Sequence, residues 1–515
     1  MFSDTVIVHW DNEASPTTLG CIPSTRSIYP VEADLNVSEN GVSWTTATGN
    51  VINIQATFIF GATVVSNPTQ SVRTLHSSAV LRRGLEAIQA NNAPGNSSFW
   101  LLHAVELSRG RKDKQPGIRQ ILLQSKNAGA RQCVEAVIAA AGLGQLSKKI
   151  LVLINPFGGT KKAKHIYEHV VQPMFQIAGL KIDLHETQAT EHATEIARTL
   201  PLDQYSAAIT ISGDGVFHEL INGLLTRPDW EQARTLPVGI VGSGSANAMS
   251  KNLDTMFPEL AALSVIKGQT RPMDVFSVTQ NETVMYSHLQ LMWALLADVD
   301  FESESYRWMG GDRMTVAAII RILRLRTYHG KLYLLPVNQA DQYRKSPSSS
   351  TQPSALGPPR LYTSDPLQHE HWPQIISTTF TYFLATNLPW ISSDFLAAPS
   401  SRLADGALEV VYSETMSSVQ ALQSVADPES GKYLQFPFIK TSRVRALVLE
   451  PHGWSWNKDG VTDRKEDKWL DVSGEKISAS PVRVEVHPGV MNVLAPVWLD
   501  EDEWSRHAHK AKMTA

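Results

Sequence analysis

Between residues 150 and 280 the chain alternates two apolar patterns. Short unbroken runs, ILVLI (150–154), AAITIS (207–212) and LPVGIV (236–241), have the length and β-branched content of buried strands. Between them lie stretches of helical period, among them TKKAKHIYEHVVQPMFQIAG and EHATEIARTL. The alternation predicts an α/β domain, an open parallel sheet with helices on both faces. In VFHELINGLL, Val216, Phe217, Leu220, Ile221, Leu224 and Leu225 recur at helical spacing and predict a helix with that buried stripe. His218 and Asn222 share a different face, so Asp214, Glu219 and Asn222 are expected to face one crevice.

After TRPMDVFSV (270–278) strand patterns dominate: TVMYSHLQLMW, GKLYLLPV, ISTTFTYFLATN, GALEVVYS and VRALVLE. They predict a second, mainly antiparallel domain, a β-sandwich. Before residue 145 the β-rich runs VINIQATFIFGATVV, SSFWLLHAVEL and IRQILLQS precede one helical stretch, ARQCVEAVIAAAGL. Strands closed off by a single helix suggest a small barrel of the pleckstrin-homology kind, with an unspecified β-rich extension as the alternative. The expected boundaries are 1–145, 147–271, 272–500 and a tail, 501–515. The Ser/Pro-rich stretch KSPSSSTQPSALGPP (345–359) predicts a mobile loop, spanning about 338–372. NKDGVTDRKEDK (457–468) predicts another exposed loop, and the tail from Trp504 a frayed end. The last strand has the option of returning to the α/β domain.

Composition narrows the class. The 515 residues are 43% apolar and 19% charged, with net charge −4, which argues against a nucleic-acid partner. Two cysteines, Cys21 and Cys133, build neither a disulfide framework nor a zinc cluster and fit a reducing compartment. The opening MFSDTVIVHWDNEASP lacks the basic and apolar regions of a signal peptide, and no apolar run reaches the roughly 18–20 residues that span a bilayer. A cytoplasmic protein that visits a membrane surface peripherally is the expectation.

Three glycine-rich turns follow the α/β strands: NPFGG (155–159), SGDG (212–215) and GSGSAN (242–247). Ligands of open parallel sheets bind beyond the carboxyl ends of the strands. Glycines let backbone approach a phosphate, and helix-start N–H groups carry roughly half a positive charge. Each turn alone is commonplace; three at consecutive strand ends predict a polyphosphate cradle. No GxxxxGK[ST], HRD or DFG pattern is present, so the cradle is of another type than the P-loop or the protein kinases.

NPFGG, SGDGVFHELINGL and GSGSANAM resemble the three nucleotide motifs of the diacylglycerol-kinase-type lipid kinases. LADVDFESESYRWMGGDRMT (296–315), the following LRLRTYHGKLYLLP, and RPDWEQA (227–233) are similar to the sphingosine kinases within that group. The resemblance is close over about 148–335, continues weakly through 403–413 and 471–489, and leaves out the first 145 residues. It implies ATP and Mg²⁺ as cofactors, with the metal ligands unknown, and a sphingoid long-chain base as acceptor. By position it implies nucleotide contacts from Asn155, Gly158, Gly159, Thr187, Ser212, Gly213, Gly215, Glu219, Gly244, Ser245, Asn247 and Glu475. Arg307 and Arg313 match phosphate-binding arginines, Asp214 stands at the catalytic position, and Asp300 matches the acid that receives the sphingoid amine. ADVD offers Asp298 as well, and the resemblance alone selects Asp300. A peripheral membrane surface is an implied partner, and a homodimer is left open.

Two departures stand out. The family's late motif Asp-Gly-Glu is here Ser473-Gly474-Glu475, so the role of that aspartate is lost or passes elsewhere, with Asp471 as a candidate. In the third turn Ala246 replaces a glycine, and its methyl group is expected to oppose positive φ and narrow the phosphate approach.

The implied chemistry is transfer of the ATP γ-phosphoryl to a primary lipid hydroxyl, with Asp214 accepting the hydroxyl proton. Val316, Ile319, Ile320 and Leu323, with Arg321, Arg324 and Arg326 nearby, are candidates for a lipid tunnel or membrane face, core packing being the alternative; the lysines of TKKAK (160–164) are a second such candidate. A ceramide or diacylglycerol kinase is the alternative within the same chemistry. Outside it stand a catalytically weakened lipid-binding scaffold and a relative of sugar or NAD kinases.

Overall fold

The computed structural model describes residues 2–11, 28–46, 51–65, 98–106, 116–125, 129–344, 357–364, 368–456 and 469–503. Most of the Ser/Pro-rich stretch, the loop expected at 457–468, the tail from Trp504, and Cys21 lie outside the described residues. The chain divides into two compact units, one of Met1–Lys149, His165–Ile182 and Phe257–Gln269, the other of Ile150–Lys164, Asp183–Met256 and Thr270–Ala515.

The first unit is built on seven antiparallel strands in the order Val51–Gln55, Gly41–Thr46, Ile28–Ser38, Phe2–Asp11, Gly117–Ser125, Ser98–Glu106, Ile59–Val65. Helix Ala130–Ala140 packs Cys133, Val134 and Val137 against Trp44, Trp100 and Leu102 of the sheet. The β-rich character expected of this region is present among the described residues. Helix Pro258–Lys267 belongs to the same unit, and the buried Lys267 ammonium donates to the carbonyls of Ala56 and Ala141 at 2.7 Å. Burial lowers its pKa to about 8.

The second unit carries one mixed sheet. Tyr205–Ser212 pairs in parallel with Val238–Gly242, with Lys149–Ile154 and Lys181–Glu186 beyond. Val482–Leu494 lies on the other side of Val238–Gly242, parallel to it, and pairs antiparallel with Thr270–Gln280 and Lys440–Trp456. This one strand carries the hydrogen-bond ladder from the α/β half into the antiparallel half. Among the described residues no helix is long and apolar enough to cross a membrane.

Helix Asp214–Leu225 forms as its spacing predicts, with the whole expected stripe buried and His218 and Gly223 buried as well. Gly223 lies against helix His192–Thr199, where an added Cβ would stand 2.5 Å from Ala197 Cβ and 2.6 Å from the Thr194 carbonyl oxygen. The missing side chain therefore sets how closely the two helices cross. Asn222 departs from expectation. Its amide donates to the Tyr286 carbonyl at 2.6 Å and accepts from the Tyr286 N–H at 2.8 Å, which docks the helix onto strand Thr283–Ser287. Backbone donor and acceptor on that strand hold the amide that was expected at the crevice.

Gly223→Ala is expected to lower stability by roughly 1–3 kcal/mol through overpacking. Thermal unfolding measures it, and an unchanged midpoint would show that the helices spread freely.

Candidate active site

The three glycine turns converge. A Cβ on Gly159 would lie 2.7 Å from Gly244 Cα, and one on Gly244 would lie 2.4 Å from Gly213 Cα. Gly159 also has φ +52, so both its conformation and its neighbour exclude a side chain. Backbone hydrogen bonds pin the approach: Ser243 N–H donates to the Ser212 carbonyl at 2.9 Å, and Asn155 N–H to that of Ile211 at 3.3 Å. The Thr160 hydroxyl, which sequence reasoning did not single out, donates to the Ser243 carbonyl at 3.0 Å. Thr187 ties in the neighbouring strand, donating both N–H and hydroxyl to the Ile154 carbonyl.

The polar side chains of the turns shape the turns themselves. Asn155 Oδ1 accepts from the N–H groups of Phe157 and Gly158, and the Ser212 hydroxyl donates to the Gly213 carbonyl. Asn247 accepts from Gly244 N–H at 2.8 Å and donates back to its carbonyl. Asn247, not Ala246, takes the left-handed conformation, at φ 48. The strain expected at Ala246 is therefore absent: its φ is negative, its side chain is exposed, and its carbonyl accepts from Ser393 N–H. Ser245 is exposed at the same tip, and Gly215 faces open space, with nothing within 4 Å of an added Cβ.

Asp214 stands at this junction as the first residue of helix Asp214–Leu225. Its Oδ2 accepts from Ala248 N–H at 3.0 Å and its Oδ1 from Met249 N–H at 2.9 Å, at the start of helix Ala248–Asn252. Burial raises the carboxyl pKa and these N–H groups oppose it. The oxygens keep lone pairs beyond those bonds, so the group is fixed in direction and still able to accept a proton.

Farther along the same helix, Glu219 accepts from Ala193 N–H at 3.1 Å and caps helix His192–Thr199. It also lies within electrostatic range of Glu191 and Glu475, and burial raises its pKa. Glu475 is raised by burial and by Glu191. From Glu475 the acidic line runs to Asp471, from Asp471 to Asp300, and from Asp300 to Arg313. The structure thus brings Glu219, Glu475, Asp300 and Arg313 into one chain of interacting charges. Arg313 also pairs with Glu304 at 2.6 Å. Arg307 lies in the 3₁₀ segment Glu304–Asp312, and its side chain is outside those described.

Asp298 and Asp300 part company. Asp298 accepts from Arg326 at 2.8 Å and from the Tyr328 hydroxyl at 2.7 Å, with Arg321 at 3.6 Å. Glu302 bridges the same two arginines at 3.2 Å. Asp298 is thereby a member of a buried ion cluster, and Asp300 meets Asp471 and Arg313 instead. The cluster also removes Arg321 and Arg326 from any lipid-facing role. The apolar residues around them behave differently. On helix Arg313–Leu323 it is Ala317, Arg321 and Ile322 that are buried, while Ile319 is half exposed and Leu323 is 77% exposed. A cavity of about 430 Å³ lined by Trp230, Arg234, Arg344, Tyr362, Arg445 and His487 contains none of the expected site residues.

The arrangement can seat a polyphosphate against glycine backbone, present a half-buried carboxylate beside it, and offer a second acid flanked by an arginine. Residues 149–278 match the family model of the diacylglycerol kinase catalytic domain, and residues 377–495 that of the YegS C-terminal NAD kinase beta sandwich-like domain. Sphingosine kinase 1 of Arabidopsis thaliana is 36% identical over 369 residues, 68% of this chain and 76% of that protein. Sphingosine kinase 1 of Homo sapiens is 31% identical over 356 residues, 66% of this chain and 89% of that protein. Sphingoid long chain base kinase 4 of Schizosaccharomyces pombe is 27% identical over 358 residues, 68% of this chain and 76% of that protein.

Asp298→Ala is expected to cost on the order of 3–5 kcal/mol, because it leaves buried arginines short of an acceptor. Asp300→Asn is expected to leave stability within about 1 kcal/mol of the parent. Denaturant unfolding of both variants checks the contrast, and equal losses would remove the distinction between the two acids.

Proposed function

The chain belongs to the sphingosine kinase family, and from that premise we propose that it transfers the γ-phosphoryl of ATP to the primary hydroxyl of a sphingoid long-chain base, giving the 1-phosphate. The observation that carries this reading is the convergence of Gly159, Gly213 and Gly244 beside the doubly hydrogen-bonded Asp214. Without side chains the three turns pack against one another and can present backbone together to one ligand, as a triphosphate requires.

Phosphoryl transfer asks the protein for alignment and charge more than covalent chemistry. In this reading Asn155, Gly158, Gly159, Ser212, Gly213, Gly215, Gly244, Ser245 and Asn247 form the phosphate side, with Thr187 behind it. Glu219 and Glu475 flank the rest of the nucleotide, and Arg307 and Arg313 offer forked cations to the transferring oxygens. Among the described residues no group of three or more His, Cys, Asp or Glu is placed to hold a metal ion. A Mg²⁺ bound with the nucleotide would supply positive charge to the phosphates.

Asp214 takes the hydroxyl proton as the lipid oxygen attacks. An alcohol is a far weaker acid than a carboxylic acid, so the proton moves late, once the oxygen has begun to bond to phosphorus. Burial raises the basicity of Asp214, and the two backbone donors hold its direction. Asp300 pairs with the ammonium next to the reacting hydroxyl. Ceramide has an amide there and diacylglycerol an ester, so charge disfavours both.

Exposed apolar side chains on two packed helices support a peripheral membrane partner. Met314, Ile319 and Leu323 on Arg313–Leu323 stand with Val419 and Leu422 on Ser418–Val425, and the Ser418 hydroxyl bonds the Ile322 carbonyl between the helices. Such a face suits partial burial in a lipid surface, from which the substrate would enter.

Asp214→Asn is expected to cut turnover by about 10²–10⁴-fold while ATP still binds. The amide keeps one of the two acceptors, so stability falls by only ~0.5–1.5 kcal/mol. Labelled ATP offered with sphingosine, phytosphingosine, ceramide and diacylglycerol tests both residue and substrate. Full activity of the variant would remove Asp214 from the chemistry, and preference for an uncharged lipid would overturn the acceptor class. If ATP gives no thermal stabilisation at all, the scaffold reading takes its place.

A further inference from the structure

Asp471 is a buried acid that the reaction as described does not use. It lies in the short strand Trp469–Val472, whose neighbours Leu470 and Val472 enter the antiparallel core. The pleat therefore turns Asp471 to the opposite face, where it meets the carboxyl of Asp300 on helix Leu295–Ser303. Asp471 is 0% exposed. Its Oδ1 accepts from Gly474 N–H at 2.6 Å, and its Oδ2 receives no N–H or hydroxyl donor.

A carboxylate is acceptor-only, so two carboxyl groups bond to each other only with a proton between them. The pair thus holds one negative charge in place of two, as close carboxyls elsewhere do. Burial and the Asp300 charge raise Asp471 well above the usual carboxylate range. Asp300 is raised by burial, with the Asp471 hydrogen bond and Arg313 opposing and Glu304 adding. Both acids are thus raised, Asp471 the more strongly, and Glu475 is the remaining acid facing Asp471.

The turn that follows shows why the acid sits here. Ser473 (φ 54) and Gly474 (φ 90) join Trp469–Val472 to Glu475–Ser478 as a two-residue hairpin turn with both φ positive. The Ser473 hydroxyl is hydrogen-bonded to that of Ser287 at 2.6 Å. The turn thereby commits its serine to Ser287, and Asp471, two residues earlier, is the acid that meets Asp300.

Resting on the sphingoid-kinase reading above, we propose that Asp471 is a specificity-determining positioning residue: with Asp300 it forms a two-carboxyl receptor that holds one proton when empty and releases it to solvent when a lipid ammonium binds. The ammonium supplies the positive charge the proton had supplied, and both carboxylates then face it. A neutral head group brings no charge and leaves the proton in place, so the pair rejects it by electrostatics as well as by shape. Release of one proton makes base binding tighter as pH rises, by up to about tenfold per pH unit below the point of release.

The test uses the full chain and a short-chain, water-soluble sphingosine near pH 6, where a primary ammonium is fully charged. Calorimetry in two buffers of different ionisation heat counts protons; release approaching one per lipid bound is expected, and none overturns the proposal. This measurement needs only the parent protein, so it stands even if a variant fails to fold. Asp471→Asn replaces the shared proton with a fixed N–H donor. At saturating ATP, its KM for sphingosine is expected to lose the parent's fall between pH 5.5 and 7.5, with kcat within about threefold. A variant that keeps the parent's pH slope and proton release overturns the role and leaves Asp471 structural. A parent that does not phosphorylate sphingosine at all sinks the sphingoid-kinase reading itself, a different result from either.

Discussion

Two backbone N–H groups, those of Ala248 and Met249, hold both oxygens of the Asp214 carboxylate. The nucleotide end of the sheet is organised around that clamp. Asp214 opens the helix that leaves the second glycine turn, and its donors open the helix that leaves the third. Its side chain thereby locks the two turns in register, while the meeting of Gly159, Gly213 and Gly244 brings the first turn into contact. A carboxylate taken out of water must be hydrogen-bonded. Here the donors are free N–H groups at a helix start, which themselves need acceptors. One pairing satisfies both needs and leaves an acid of raised basicity at the cradle's edge.

Helix Leu295–Ser303 shows how burial sorts acids of identical chemistry. Asp298 and Asp300 are two residues apart, yet one is enclosed by Arg326, Tyr328 and Arg321 and the other by Asp471 and Arg313. The first is neutralised by fixed cations and stabilises the helix. The second meets another acid, an arrangement that is unfavourable unless a proton or a ligand cation joins them.

Helix Arg313–Leu323 inverts the usual arrangement. Its buried face carries Arg321 together with Ala317 and Ile322, and larger apolar residues, Ile319 and Leu323, face outward. An amphipathic helix normally turns its apolar stripe to the core. Arg321 goes inward because Asp298 and Glu302 stand there, and the larger apolar side chains are left on the outward face.

Much of this was determined by the sequence alone. Period and run length identified the α/β half, the antiparallel half and the stripe of helix Asp214–Leu225, because alternation and helical spacing are local properties that burial merely enforces. The glycine turns and the Asp214 position were legible as motifs, and they carried the family. Pairwise choices were left to the tertiary structure. Asn222 docks on Tyr286, Glu219 caps a neighbouring helix, and Asp471 faces Asp300. Each choice depends on which unpaired donor, acceptor or charge another segment brings within hydrogen-bond reach. Such partners are separated by tens to hundreds of residues along the chain, and no local pattern encodes their meeting.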